Sequence, residues 1–284
     1  TGGIEHATMH LIYFRYFTKA LRDIGLLKYD EPVMTLRNQG VILGEDSEKM
    51  SKSRGNVIAP DELVNKYGAD TVRAYLMFFA RWDQGAPWSG NGIEGVSRWL
   101  QRVWRIVMES LDNREASEID QHDVRDLHRK VHQTIKQISH DMEHFQFNTV
   151  ISSLMELTNA LNKAVSNNLT NTDEFGHGLE TLLKLMAPVT PHITEELWSK
   201  LNNSYSIHQQ SWPVADDEAV LEEEITLVVQ VNGKVRERLI VSTNIDAENA
   251  KRLALTSENV QRHLDGKEPQ KVIYVPGRLV NIVV

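Results

Sequence analysis

The sequence predicts three successive domains of different class: a mixed α/β segment over residues 1–90, an all-α helical bundle over 91–215, and a small α+β domain of order β-β-α-β-β over 216–284. Three observations carry this. A chain of 284 residues exceeds what one small core serves. Apolar residues recur at helical spacing for more than 100 residues beyond Gly95. After Pro213 the period changes to alternation around Asn232-Gly233, a dipeptide suited to the positive φ angles of a two-residue hairpin turn.

In chain order, Ile4, Leu11, Phe14, Phe17, Leu21 and Ile24 place an apolar stripe on a helix over 4–24, which stops at Gly25. Val41, Ile42 and Leu43, between Gly40 and Gly44, predict a brief buried strand, and a polar loop follows from Glu45 to Asn56. Pro60, Asp61 and Glu62 open a helix, with acids at the positive end of its dipole. Gly68 ends that helix, and another runs from Ala69 to Arg81. Gly, Pro, Ser and Asn between Trp82 and Gly95 mark the first boundary. Three stripes then define bundle helices: Trp99, Val103, Ile106 and Val107; Val131, Ile135, Ile138 and Met142; Val150, Leu154, Leu157 and Leu161. Helices over 178–186 and 193–201 follow, separated by Pro188 and Pro191, and Trp99, Trp104 and Trp198 read as packing residues. After the acidic run of Glu222, Glu223 and Glu224, strands are expected from Ile225 to Val241, a helix over 246–264, and a last hairpin turning at Pro276-Gly277.

Zero cysteines exclude a disulfide scaffold, Cys-ligated zinc, an iron–sulfur cluster and a thiol nucleophile, and fit a reducing compartment. No apolar run approaches the roughly 20 residues of a spanning helix. The opening residues lack the basic and apolar regions of a signal peptide, so a cytoplasmic location is expected. A net charge of −8 argues against nucleic-acid binding by bulk positive charge. The charge is uneven, however: net 0 over 1–90, −5 over 91–215, −3 over 216–284, but +3 from Ile225 onward. Both ends of the chain can therefore meet a polyanion.

The chemistry is concentrated in Lys49-Met50-Ser51-Lys52-Ser53-Arg54-Gly55-Asn56, where small hydroxyl residues space three cations and a glycine releases the chain. Such a loop can close over a polyphosphate and place ammonium groups where negative charge grows as pyrophosphate leaves. His6 and His10, four apart, share a face on the expected helix. They lack the further ligands a zinc site needs, so no metal is expected in this chain. Lys234, Arg236 and Arg238 alternate along a strand and are expected on one face, either for solubility or for RNA phosphates.

The unaltered Lys49-Met50-Ser51-Lys52-Ser53 string resembles the signature loop of class I aminoacyl-tRNA synthetases. Gly2-Gly3-Ile4-Glu5-His6-Ala7 with His10, Tyr67-Gly68-Ala69-Asp70-Thr71 with Arg73, and Trp88-Ser89 followed by Ile93-Glu94-Gly95 and Arg102-Val103-Trp104 narrow the resemblance to leucyl-tRNA synthetases. The segments Met186-Ala187-Pro188, Pro191 to Trp198 and, most specifically, Lys271 to Val284 extend it through the chain. Valyl and isoleucyl enzymes share the loop and the Gly-Ala-Asp run, but not that ending.

The resemblance implies that residues 1–90 are the C-terminal part of a Rossmann-like catalytic domain, 91–215 an anticodon-binding-type bundle, and 216–284 a small tRNA-binding domain. It implies ATP-dependent activation of leucine to leucyl-adenylate and transfer to tRNA(Leu), with ATP and Mg2+ as substrate. Lys49 and Lys52 would hold the ATP phosphates, Ser51 and Ser53 shape the loop with Met50 between them, and the backbone at Val41 and Ile42 lie beside the adenine. Gly2, Gly3 and Glu5 would meet the adenylate ribose, His6 and His10 the leucine side chain, and Lys234, Arg236 and Arg238 the tRNA. The family's earlier His-x-Gly-His signature and editing domain are not in this sequence. The chain is therefore expected to be a fragment or split subunit, inactive without the remainder of the synthetase. A non-enzymatic tRNA-binding module and a valyl- or isoleucyl-type enzyme stand as alternatives.

Overall fold

The computed structural model describes residues 2–111, 119–220, 224–243, 245–264, 267 and 269–284, with only the backbone described at 224, 225, 240 and 242; Glu222 and Glu223 of the acidic run lie outside these residues. Two compact units result, Thr1–Asp216 and Asp217–Val284. The expected 1–90 and 91–215 segments both lie in the first, where one contiguous apolar cluster runs from Val72 to Ile207.

The opening stretch is not one helix. A 3-10 turn covers Ile4–Ala7, and α1 (His10–Asp23) begins afresh after it. The His6 N–H bonds Gly3 O at 3.1 Å. This tighter winding steps side chains by about 120°, so the shared α-helical face expected of His6 and His10 is not formed. The helix α1 buries only Thr18 and none of its apolar stripe; Ile12, Tyr13, Tyr16 and Phe17 are more than half exposed, since no described element covers them. Exposed ion pairs tie α1 to the following segment: Arg15 and Lys19 lie 2.8 and 2.9 Å from Glu31, and Arg22 pairs with Asp30. Hydrogen bonds from Arg15, then Lys19, hold the Glu31 carboxyl down to about 2.

Pro60 opens α2 (Pro60–Tyr67), and Gly68, at φ 85°, separates it from α3 (Ala69–Phe78). The bundle comprises α4 (Gly92–Leu111), α5 (Gln121–Glu143), α6 (Phe147–Ser166), α7 (Asp173–Met186) and α8 (Pro191–Lys200). α7 starts five residues before the expected 178, because Thr172 accepts the Phe175 N–H and caps the helix there. The three predicted stripes meet in the core, where Val103, Ile106, Val131, Ile138, Leu154 and Leu161 are fully buried. Each such side chain contributes roughly 1.5–3 kcal/mol. Trp99 is buried with its Nε1–H donating to Thr158 Oγ1 at 2.9 Å, and Trp198 donates to Ser204 O at 2.9 Å. Trp104 departs from expectation at 37% exposure, one residue and about 100° beyond Val103 on α4.

The second unit begins with α9 (Asp217–Val220). β1 (Glu224–Val231) and β2 (Lys234–Ser242) form a hairpin through Asn232 and Gly233, at φ 49° and 77°. Instead of one helix there are two, α10 (Ala247–Thr256) and α11 (Glu258–Leu264), because Ser257 is extended. β3 (Lys271–Val275) and β4 (Leu279–Val283) complete a mixed sheet of order β2-β1-β4-β3, with β1 and β4 parallel at its centre. Leu227, Val229, Val280 and Ile282 bury one sheet face against Ala250, Ala254, Val260 and Leu264 of the helices.

Within the first unit, His132 of α5 stands edge-on to His128 at 4.5 Å and stacks with His177 at 5.7 Å, and its Nδ1 accepts the Asp216 N–H at 3.0 Å. Burial, then the neighbouring His128, holds both His132 and His177 below the usual imidazole range, against the opposing pull of Asp216 and Glu180. The unfolded chain therefore takes up protons first as pH falls through about 6.5, and stability present above that pH is lost below it. All six tryptophans lie in this unit, so tryptophan fluorescence reads its urea unfolding alone. The midpoint should fall between pH 7.5 and 5.5, and His177→Gln should shrink that fall; an unchanged difference would remove the histidine cluster as its cause.

Candidate functional site

Gly40 and Gly85 let two stretches of chain cross at contact distance. A Cβ on Gly40 would overlap the Gly85 nitrogen, and one on Gly85, at φ 68°, would overlap the Val41 carbonyl. Through this crossing Gly40 N–H donates to Trp82 O at 2.7 Å, Leu43 N–H to Ala86 O at 3.1 Å, and Trp88 N–H to Leu43 O at 3.0 Å. The strand expected at residues 39–44 is not continuous. Single bridges pair Gly3 with Gln39, and Leu43 with both Lys49 and Pro87. Gly85, in the left-handed region, bends the neighbouring segment out of extended geometry, so no ladder can propagate.

A cavity of 340 Å3 forms beside the crossing and is lined by Gly3, Glu5, Val41, Ile42, Trp82 and Phe147, among others. The structure thus brings Gly3 and Glu5, expected at the ribose, together with Val41 and Ile42, expected at the adenine. Gly2, His6 and His10 are not among its walls; His10 stacks on Phe14 of its own helix at 5.8 Å. Trp82 was not singled out by the sequence as part of a site. Its ring stands edge-on to Phe147 at 5.2 Å, and its buried Nε1–H has no partner among the described residues.

Leu43 connects this cavity to the cationic loop, since it bridges to Lys49. Met50 packs against the main core, as Ile42 and Ile58 do, while Lys49 and Lys52 are exposed and without an ion-pair partner among the described residues. Arg54 is paired with Glu48 at 2.8 Å. Ser51 Oγ and Ser53 Oγ lie 2.8 Å apart, and Arg54 N–H donates to Ser51 O, so the loop is a hydrogen-bonded turn. Asn56, at its end, accepts the Ser51 N–H at 2.9 Å.

In the second unit, Lys234, Arg236 and Arg238 are all exposed on the edge strand β2, but they do not share one face. Arg238 lies opposite Val228 and Lys234 opposite Val231, while the register shifts between Val229 and Gln230 and leaves Arg236 as the extra residue. Val231 is buried under the helices, so Lys234 falls on that side and Arg238 on the other. A β-bulge breaks the period of two from which the shared face was expected.

Comparison with known proteins identifies the framework. Residues 12–86 match the family model for class I tRNA synthetases (I, L, M and V), and residues 125–251 match that for the anticodon-binding domain of tRNA ligases. Over all 284 residues the chain is 51% identical to a leucine–tRNA ligase of Dehalococcoides mccartyi, covering 34% of that protein. It is 49% identical to one of Rubrobacter xylanophilus, again covering 34%. Over its whole length the chain is homologous to leucine–tRNA ligases. It spans about a third of the length of these relatives. The crystal structure of Agrobacterium radiobacter K84 LeuRS in a ternary complex with tRNA and LeuAMS superposes with a TM-score of 0.76 at 33% identity, over 99% of this chain and 37% of that one. A methionyl-tRNA synthetase of Mycobacterium tuberculosis shares the fold, with a TM-score of 0.54 at 19% identity over 72% of this chain and 44% of that one.

In this chain the Gly68-Ala69-Asp70 run acts as a latch. Asp70 is buried at the start of α3; its Oδ2 accepts the Ile193 N–H of α8 at 2.6 Å, and its Oδ1 lies 2.8 Å from His192 Nδ1. Arg73 donates to the Pro188 and Val189 carbonyls, both at 2.9 Å. The first turn of α3 is thereby fixed to the loop that starts α8, over a separation of more than 110 residues. Sequence proximity gives no sign of it. Asp70→Ala leaves a part-buried N–H without its acceptor and should cost the first unit about 1–3 kcal/mol in urea unfolding. Gly85→Ala should be at least as damaging, because the left-handed φ adds to the overlap with Val41. A melting temperature unchanged by Gly85→Ala would show that the crossing tolerates a side chain.

Proposed function

We propose that this chain carries the signature-loop side of a leucine-activating site, together with RNA-binding parts, in an enzyme that makes leucyl-adenylate from leucine and ATP and transfers leucine to tRNA(Leu). One observation supports the chemistry above the rest. Lys49 and Lys52 stand exposed and without an ion-pair partner among the described residues, on a loop whose half-buried Met50 packs against the core, next to a cavity that contains Gly3, Glu5, Val41 and Ile42. Two unpaired ammonium groups on an anchored turn suit a triphosphate, and their charge favours the transition state as pyrophosphate departs. The Dehalococcoides and Rubrobacter relatives, and the A. radiobacter ternary complex with tRNA and LeuAMS, support leucine over valine or isoleucine.

On this reading, residues 1–90 are the C-terminal part of the Rossmann-like catalytic domain, with Gly2, Gly3 and Glu5 toward the ribose and His6 and His10 toward leucine. Residues 91–215 are the anticodon-binding-type bundle and 216–284 the small tRNA-binding domain, with Lys234, Arg236 and Arg238 contacting the tRNA backbone. The remaining catalytic and editing parts would be partners of this segment, and the uncovered apolar face of α1 suits such a contact. Mg2+ would come with ATP. The three-residue metal grouping that the described residues offer, His122 with Asp123 and Asp126, lies on α5, where its carboxylates already hold Lys163, Asn167 and Arg129. Among the described residues no helix is long and apolar enough to cross a membrane, which is consistent with the cytoplasmic location proposed for such an enzyme.

In the full-length enzyme, Lys52→Ala should slow leucyl-adenylate formation about 100- to 1000-fold, the usual effect of removing one charge-stabilising donor. Pyrophosphate exchange near the wild-type rate would contradict the assignment. Deleting residues from Ile225 onward should impair tRNA charging far more than adenylate formation; equal losses in both would reject a tRNA role for the second unit.

A further inference from the structure

Asp46 and Asn56 flank the signature loop, and neither was assigned a role from the sequence. The Asn56 Nδ2 donates to Asp46 Oδ1 and Oδ2 at 3.2 and 3.0 Å and reaches the Lys49 carbonyl at 3.4 Å, while its Oδ1 accepts the Ser51 N–H at 2.9 Å. Asp46 Oδ1 also accepts the Glu48 N–H at 3.0 Å. One amide thus holds the backbone on both sides of Met50, and one carboxylate holds that amide. Gly44 makes the room: it is buried, and a Cβ there would lie 2.5 Å from Asp46 Oδ1 and 3.0 Å from Asn56 Nδ2. No cation pairs with Asp46 among the described residues, so its acceptors serve the loop.

We propose that Asp46 and Asn56 are positioning residues that clamp the base of the signature loop and so fix the points from which Lys49 and Lys52 leave the backbone. The inference rests on the adenylate-forming reading above. Asparagine is suited to the position because one side chain must donate to Asp46 and accept from Ser51 at once. Aspartate at 56 would keep the Ser51 contact but set two carboxylates face to face. Exchanging the pair restores the donor: an asparagine at 46 donates to an aspartate at 56, which still accepts from Ser51.

The test uses the full-length enzyme with Asn56→Ala, Asn56→Asp, Asp46→Asn and the double exchange Asp46→Asn/Asn56→Asp. Two readouts are followed: single-turnover leucyl-adenylate formation, and tryptic cleavage after Lys49, Lys52 and Arg54. Asn56→Ala and Asn56→Asp should slow adenylate formation by up to about 100-fold, the scale of an ångström-sized misplacement, with the KM for leucine unchanged and loop cleavage faster. The double exchange should recover most of both. Wild-type cleavage and rate in Asn56→Ala, or a double exchange no better than Asn56→Asp, would overturn the clamp. If the loop loosens in Asn56→Ala while Lys52→Ala leaves pyrophosphate exchange intact, the functional reading fails, and with it the catalytic purpose of the clamp.

Discussion

The architecture of the site depends on two backbones passing where no side chain can stand. At the crossing of Gly40 and Gly85 the main chains touch directly, and the hydrogen bonds of Gly40, Leu43 and Trp88 follow from that approach. Two parts of the candidate site adjoin this contact. Val41 and Ile42 reach the cavity wall on one side of it, and Leu43 carries the chain to its bridge with Lys49 on the other. Glycine is needed at 85 for two reasons, the left-handed φ and the overlap, and at 40 for the overlap alone.

A loop with three cations in six residues poses an electrostatic difficulty: its charges repel each other and water solvates them in any arrangement. Here the loop is held by groups that leave the charges alone. Met50 supplies apolar burial, Asn56 ties the backbone, and Arg54 is drawn aside by Glu48, so Lys49 and Lys52 remain without a counter-charge among the described residues. Surface ion pairs contribute little to stability, so withholding them from two lysines costs the fold almost nothing. What is gained is an unneutralised positive site beside a cavity.

The latch at Asp70 joins this region to the bundle by a different means. A buried carboxylate accepting a helix N-terminal N–H is favourable in both charge and hydrogen bonding. With Arg73 on the Pro188 and Val189 carbonyls, it makes residues 68–73 and 188–193 one rigid junction. The apolar cluster that spans Tyr75, Trp88 and the bundle helices is continuous across the same junction, so the two segments that differ in composition share one core.

Much of this chain was legible in its order of residues. The helical period from Trp99 to Leu161 gave the bundle, because burial selects apolar residues at the repeat of the helix itself. Asn232-Gly233 gave the hairpin, because few other pairs accept two positive φ angles. The Lys49–Ser53 string pointed to the chemistry because its loop is local. Contacts made across the fold decided the rest. A 3-10 turn separates His6 from His10, a bulge at Arg236 puts Lys234 and Arg238 on opposite faces, and Gly85 denies residues 39–44 a strand. Asp46, Asn56, Trp82 and Asp70 gain their meaning only from partners that folding brings to them, and a one-dimensional pattern carries no record of such meetings.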